Sequence, residues 1–161
     1  MDNIINNRFS FSKLRASINQ DVIVFVISRM LFLLFLYSAA DKLYDIEKFR
    51  IQLGQSPLLT NLAGFVAWFI PAIEIIISIL LIIPKTKLLG LFASFNLMVM
   101  FTAYIFVIMN YSEYIPCSCN GILEGATWGQ HLAFNIAFVA LALVGIVLQS
   151  RLKMHKPAID E

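Results

Sequence analysis

The sequence predicts an all-α integral membrane protein: a bundle of four transmembrane helices, both termini inside, with a short surface helix in the first outer loop. Three observations predict it. Hydrophobic residues make up 60% of the 161 and charged residues only 14%, against about 25% charged in soluble domains. Apolar runs near the roughly 20 residues needed to cross a bilayer occur at 22–40, 62–83, 88–109 and 130–148. Basic residues cluster on alternate connections. The runs leave no room for a separate soluble domain. Residues 22–148 therefore read as one membrane domain between a cytoplasmic segment, 1–21, and a cytoplasmic tail, 149–161. The net charge of +2 points to no nucleic-acid partner; the partner that the composition demands is the lipid bilayer.

Charge placement sets the expected orientation. Arg8, Lys13 and Arg15 precede the first span, Lys85 and Lys87 sit between spans two and three, and Arg151, Lys153 and Lys156 follow the fourth. The opposite side carries Lys42, Lys48 and Arg50 beside Asp41, Asp45 and Glu47, and its second loop, 110–129, has no Lys or Arg. The positive-inside bias puts both termini in the cytoplasm and predicts a multi-pass protein of a bacterial inner membrane. The first span is too long, and too far from the N-terminus, to read as a cleaved signal peptide. Residues 3–21 are compatible with a short amphipathic helix on the inner face or with disorder.

In the first outer loop, Leu43, Ile46, Phe49 and Leu53 recur at helical spacing, predicting a surface helix ended by Gly54 and Pro57. The link Pro84-Lys85-Thr86-Lys87 is so short that spans two and three are antiparallel neighbours.

Two charges fall at membrane depth. Arg29 and Glu74 lie about 12 Å and about 15 Å from the inner ends of their spans at 1.5 Å per residue. Unpaired, they would cost roughly 5–7 kcal/mol on insertion scales, so the expectation is an Arg29–Glu74 pair. It is either an ion pair pinning spans one and two or part of a proton or cofactor route. Pro71, Glu74 and Ser78 share an inward face; Gly90, Ala93, Ser94 and Leu97 form a small-residue stripe suited to close packing. Asn96 borders that stripe at the depth of Arg29. His131, Asn135, Phe138, Ala142 and Gly145 form an inward stripe on span four.

The chain's two cysteines, Cys117 and Cys119, occur in Pro116-Cys117-Ser118-Cys119, on the expected outer side. A disulfide across one residue closes too small a loop to constrain the unfolded chain much. Its Cα spacing restricts the backbone at Ser118, and strained, exposed disulfides are labile. Redox exchange is the favoured reading. His131 and Lys42 would stabilise a thiolate, and Asp41 is a candidate for moving protons. Inert cysteines remain open, as does soft-metal handling with His131 and nearby methionines, although two sulfurs and one imidazole are an incomplete zinc set.

Arg29 followed by Ser38-Ala39-Ala40-Asp41-Lys42-Leu43, then Pro71-Ala72-Ile73-Glu74, then Pro116-Cys117-Ser118-Cys119-Asn120-Gly121, resembles the MauE/DoxX family of redox-associated four-helix membrane proteins. The likeness covers most of residues 22–148. It departs at Ser118, at Asn120 and at Ala39 or Ala40, where the family has Gly, Phe and commonly Gly. The resemblance implies a role in making or handling disulfides in exported proteins, with a thioredoxin-like or exported partner. Fold analogy adds quinone as a candidate electron acceptor. On this reading Cys117, Cys119 and His131 are catalytic, Lys42 and Asp41 tune charge and protons, and Arg29 and Glu74 organise the bundle. The alternative is a non-enzymatic subunit of a larger envelope complex.

Overall fold

The computed structural model describes residues 2–55, 60–111 and 127–155. Among the described residues five α-helices form: α1 (Asp2–Tyr44), α2 (Ile46–Gln55), α3 (Ala63–Ile82), α4 (Lys87–Tyr111) and α5 (Trp128–His155), with a short 3-10 turn, Thr60–Leu62, leading into α3. No strand occurs among the described residues. Four of the described segments are long and apolar enough to span a membrane: Asn19–Tyr44, Thr60–Ile82, Lys87–Asn110 and Trp128–Met154. The shortest, at 23 residues, gives about 34 Å of helix at 1.5 Å per residue, more than the hydrocarbon core of roughly 30 Å. The chain is a multi-pass membrane protein.

Each span packs on two others: α1 on α3 and α5, and α4 on the same two, so α1 and α4 face each other diagonally. The core runs along this axis through Val24, Leu31, Phe35, Ile77, Leu81, Leu91, Met98, Ala142 and Ile146. Large side chains such as Leu33, Phe65, Trp68 and Ile76 point outward, the expected surface of a protein whose solvent is lipid.

At one end, the hairpin end, α3 stops because Ile83 precedes a proline. The ring of Pro84 pushes it out of helical conformation, and Ile83 sits at φ −75° and ψ 119°. Thr86 Oγ1 donates to the Leu80 carbonyl at 3.1 Å, satisfying an acceptor left open at the helix end. The helices then close tightly. A Cβ on Gly90 would meet backbone atoms of Leu80 and Leu81 at 3.0 Å, so the expected small-residue stripe is a true contact. Its members Gly90, Ser94 and Leu97 are buried, with Ser94 Oγ donating to the Gly90 carbonyl.

The other end, the loop end, carries Tyr44, Thr60, Tyr111 and Trp128. Here the surface helix of the first loop begins later than its periodicity implied. Asp41–Tyr44 belong to α1, and Asp45 caps α2, its Oδ1 accepting from Lys48 N at 3.1 Å. The helix rests on the start of α3, where Leu53, Ala63 and Ala67 are buried with Phe49 and Val66 against them. Gly54 lies inside α2 rather than ending it. Residues 3–21 form no separate element but continue α1.

Candidate functional site

The loop end gathers its buried charge around one carboxylate. Glu74 lies on the inward face of α3, with Pro71 and Ser78, and has no solvent exposure. Opposite it, α1 presents Ser38 and, one turn on, Lys42, a spacing that stacks two side chains on one helix face. Lys42 Nζ donates to Glu74 Oε1 at 2.9 Å, to Ser38 Oγ, and to the Ser38 carbonyl at 3.4 Å. Ser38 Oγ donates to the same carboxylate oxygen at 3.0 Å. Lys42 is only 6% exposed. The Phe49 ring of α2 lies 5.7 Å from its ammonium and the Phe101 ring of α4 5.8 Å, just inside the range of cation–π attraction. Four helices thus surround one ammonium with a carboxylate, a hydroxyl, a carbonyl and two aromatic rings.

Such an arrangement is what a buried charge requires, because an ion removed from water is tolerated only when paired and hydrogen-bonded. The pairing is lopsided. Oε1 accepts from two donors, whereas Glu74 Oε2, equally buried, has no hydrogen-bond partner among the described residues.

The expected Arg29–Glu74 pair is not formed. Arg29 stands nine residues before Ser38, about 13 Å down the helix at 1.5 Å per residue, and its guanidinium lies 4.9 Å from the Phe25 ring centroid. Depth counted from the inner ends of apolar runs failed because α1 extends past its apolar run. The added turn brings Lys42 into the bundle instead of leaving it in the first outer loop. Asn96, at the depth assigned to Arg29, is exposed and donates to the Phe92 carbonyl.

His131 is buried, 5% exposed, with its ring centroid 6.1 Å from that of Trp128. Its level follows from helix register. A Cβ on Gly145 would lie 3.2 Å from Ile27 of α1 and 3.1 Å from Leu91 of α4. About 14 residues along each antiparallel helix, some 21 Å at 1.5 Å per residue, stand His131, Asp41 and Ile105. His131 and Asp41 therefore share the level of Lys42. Of the residues singled out from sequence, Lys42 and Glu74 meet as a buried pair, Asp41 and His131 share its level at the loop end, and Arg29 lies well below it. Cys117 and Cys119 lie outside the described residues, in the segment that joins α4 to α5.

Sequence reasoning missed Ser38, Phe49 and Phe101 as neighbours of the buried charge. The four-residue spacing of Ser38 and Lys42 was a usable signal; nothing local marked the phenylalanines. It also missed how α5 begins. Thr127 N donates to Gln130 Oε1 at 2.9 Å, and Gln130 N to Thr127 Oγ1 at 3.4 Å. This reciprocal capping box fixes the first turn of α5, and with it His131, directly after the cysteine segment.

A family model described as methylamine utilisation protein MauE matches residues 20–148. No curated protein and no solved structure matches the chain.

Proposed function

Since the chain belongs to the MauE family, we propose that it is a membrane redox-maturation factor of methylamine utilisation. Its Cys117–Cys119 pair exchanges electrons with a thioredoxin-like or exported partner. One observation carries the reading. The cysteines are confined to the link between α4 and α5, whose helix ends lie at the loop end, the end that also holds the buried Lys42–Glu74 pair and the buried His131. One thiolate attacks the partner's disulfide sulfur, a mixed disulfide forms, and the second thiolate resolves it. His131, held one turn into α5 by the capping box, supports the thiolate. Quinone dissolved in the bilayer is the proposed acceptor when electrons leave the pair.

The orientation that suits this chemistry has the loop end outward, in a bacterial inner membrane, with both termini cytoplasmic. Charge supports it. The described hairpin end carries Lys85, Lys87, Arg151 and Lys153. With Lys42 buried, the loop end has only Lys48 and Arg50 exposed, beside Asp45 and Glu47.

Thiol trapping in native membranes tests the proposal. Cys117 and Cys119 are expected to shift between free and oxidised forms when the quinone pool is oxidised or reduced, and Cys117→Ser is expected to trap or abolish mixed disulfides. Cysteines that hold one redox state throughout would sink it. A Cys117→Ser/Cys119→Ser chain that still supports its pathway would make the protein a non-enzymatic subunit.

A further inference from the structure

We propose that Glu74 carries a proton through the bundle core when the cysteine pair changes redox state, holding it on Oε2. The inference rests on the thiol–disulfide reading above and identifies the proton-handling group of that same site. Among the described residues Oε1 accepts from Lys42 and Ser38, and Oε2, fully buried, meets no donor. A buried carboxylate oxygen without a donor is unfavourable as it stands, and binding a proton cancels the charge that burial penalises. Acidic groups inside membrane spans are characteristic of proton relays.

The surroundings suit a group that alternates between charged and neutral. Lys42 and Ser38 face Glu74 from α1, with the Phe49 ring of α2 and the Phe101 ring of α4 beside the ammonium. Lys42 is the one charged side chain paired with Glu74 among the described residues. When Glu74 is neutral, Lys42 keeps the Ser38 carbonyl, the Ser38 hydroxyl and both rings. The ammonium is thus not stranded by loss of its counter-ion. By helix register, Asp41 and His131 lie about one turn nearer the loop end than Ser38.

The chemistry balances as follows. Oxidation of the pair breaks two S–H bonds and forms one S–S bond. Two electrons pass to a quinone, whose two ring oxygens take up two protons to give the hydroquinone. Glu74 carries the two protons between them one at a time: each time, an O–H bond forms at Oε2 as a thiol proton leaves, and breaks as a ring oxygen gains it. Lys42 stays protonated throughout.

Time-resolved infrared spectroscopy on the full-length protein in lipid nanodiscs, during oxidation of the reduced cysteine pair by a short-chain quinone, tests this. A carbonyl stretch from a protonated carboxyl group is expected to rise and decay during the reaction and to be missing in Glu74→Gln. Turnover with a short-chain quinone is expected to fall about a hundredfold in kcat, the usual range for losing a proton-transfer group, with KM unchanged. Because Glu74→Gln leaves Lys42 without its counter-charge, Lys42→Met/Glu74→Leu, which removes both charges, serves as the folded control and is expected to show the same losses. A carboxyl signal that survives either variant, no signal in the native protein, or native turnover in the double variant overturns the inference. Cysteines that cycle with Glu74 unaffected would defeat the inference alone; cysteines that never cycle defeat it together with the reading it rests on.

Discussion

At the hairpin end, α3 and α4 approach so closely that a Cβ on Gly90 would meet the backbone of Leu80 and Leu81 at 3.0 Å, and the Ser78 and Ser94 hydroxyls are returned to their own helices. At the loop end, the same four-helix frame encloses an ammonium, a carboxylate and an imidazole. The first arrangement is shape alone: small residues let helices approach in a solvent that gives no hydrophobic drive between them. The second is sustained only by pairing, because no water is at hand inside the bilayer to satisfy its polar groups. Close packing tolerates little change in volume, and the polar cluster tolerates little change in charge. Function is expected where the chain keeps expensive groups, which is the loop end.

Substitutions that separate charge from shape sharpen this contrast. The largest effect is expected from Lys42→Ala, which leaves Glu74 buried without its counter-charge. Removing one member of a buried pair costs about 3–5 kcal/mol, to be read as a lower unfolding midpoint in mixed micelles. Lys42→Met/Glu74→Leu should recover most of that loss. Arg29→Leu, which breaks no ion pair among the described residues, should move the midpoint far less. An Arg29→Leu loss equal to that of Lys42→Ala would break the distinction.

Gly90→Val comes next, at about 1–3 kcal/mol for overpacking, since its first side-chain atom meets backbone that cannot step aside. Gly64, inside α3 with nothing within 4 Å of a Cβ, is the control. Gly64→Ala should be neutral or stabilising by up to about 1 kcal/mol through helix propensity. The smallest effect is expected from Thr127→Ala, about 1 kcal/mol for a lost N-cap. Its readout is faster amide exchange confined to the first turn of α5, the turn that positions His131. Faster exchange spread along α4 as well would show that the cap supports the whole loop end.

Much of this architecture was legible because bilayers impose simple rules. Leu88–Met109 reads as a span because its apolar residues are continuous, and Pro84 marks a stop because its ring forbids helix at Ile83. The inward faces of α3 and α5 followed from spacing alone: Glu74, Ser78, His131, Ala142 and Gly145 are all buried. The partner of Glu74 was not legible. Arg29 seemed to match it in depth only because helix ends were taken from apolar runs, and hydropathy is blind to a lysine that continues a helix inward.

The sequence by itself determined four apolar helices, the hairpin joining α3 to α4, the faces that turn inward, and the motifs of a MauE-family chain. Those properties are local or periodic, so any fold of this chain must respect them. Only the tertiary structure decided which charges meet. The stagger of α1 against α3 sets Ser38 and Lys42, not Arg29, against Glu74, and α2 folds Phe49 over the ammonium. A one-turn difference in stagger shifts partners by about 5.4 Å along the axis, enough to exchange one cation for none. That stagger is fixed by packing summed over the whole bundle, which no single residue or motif encodes.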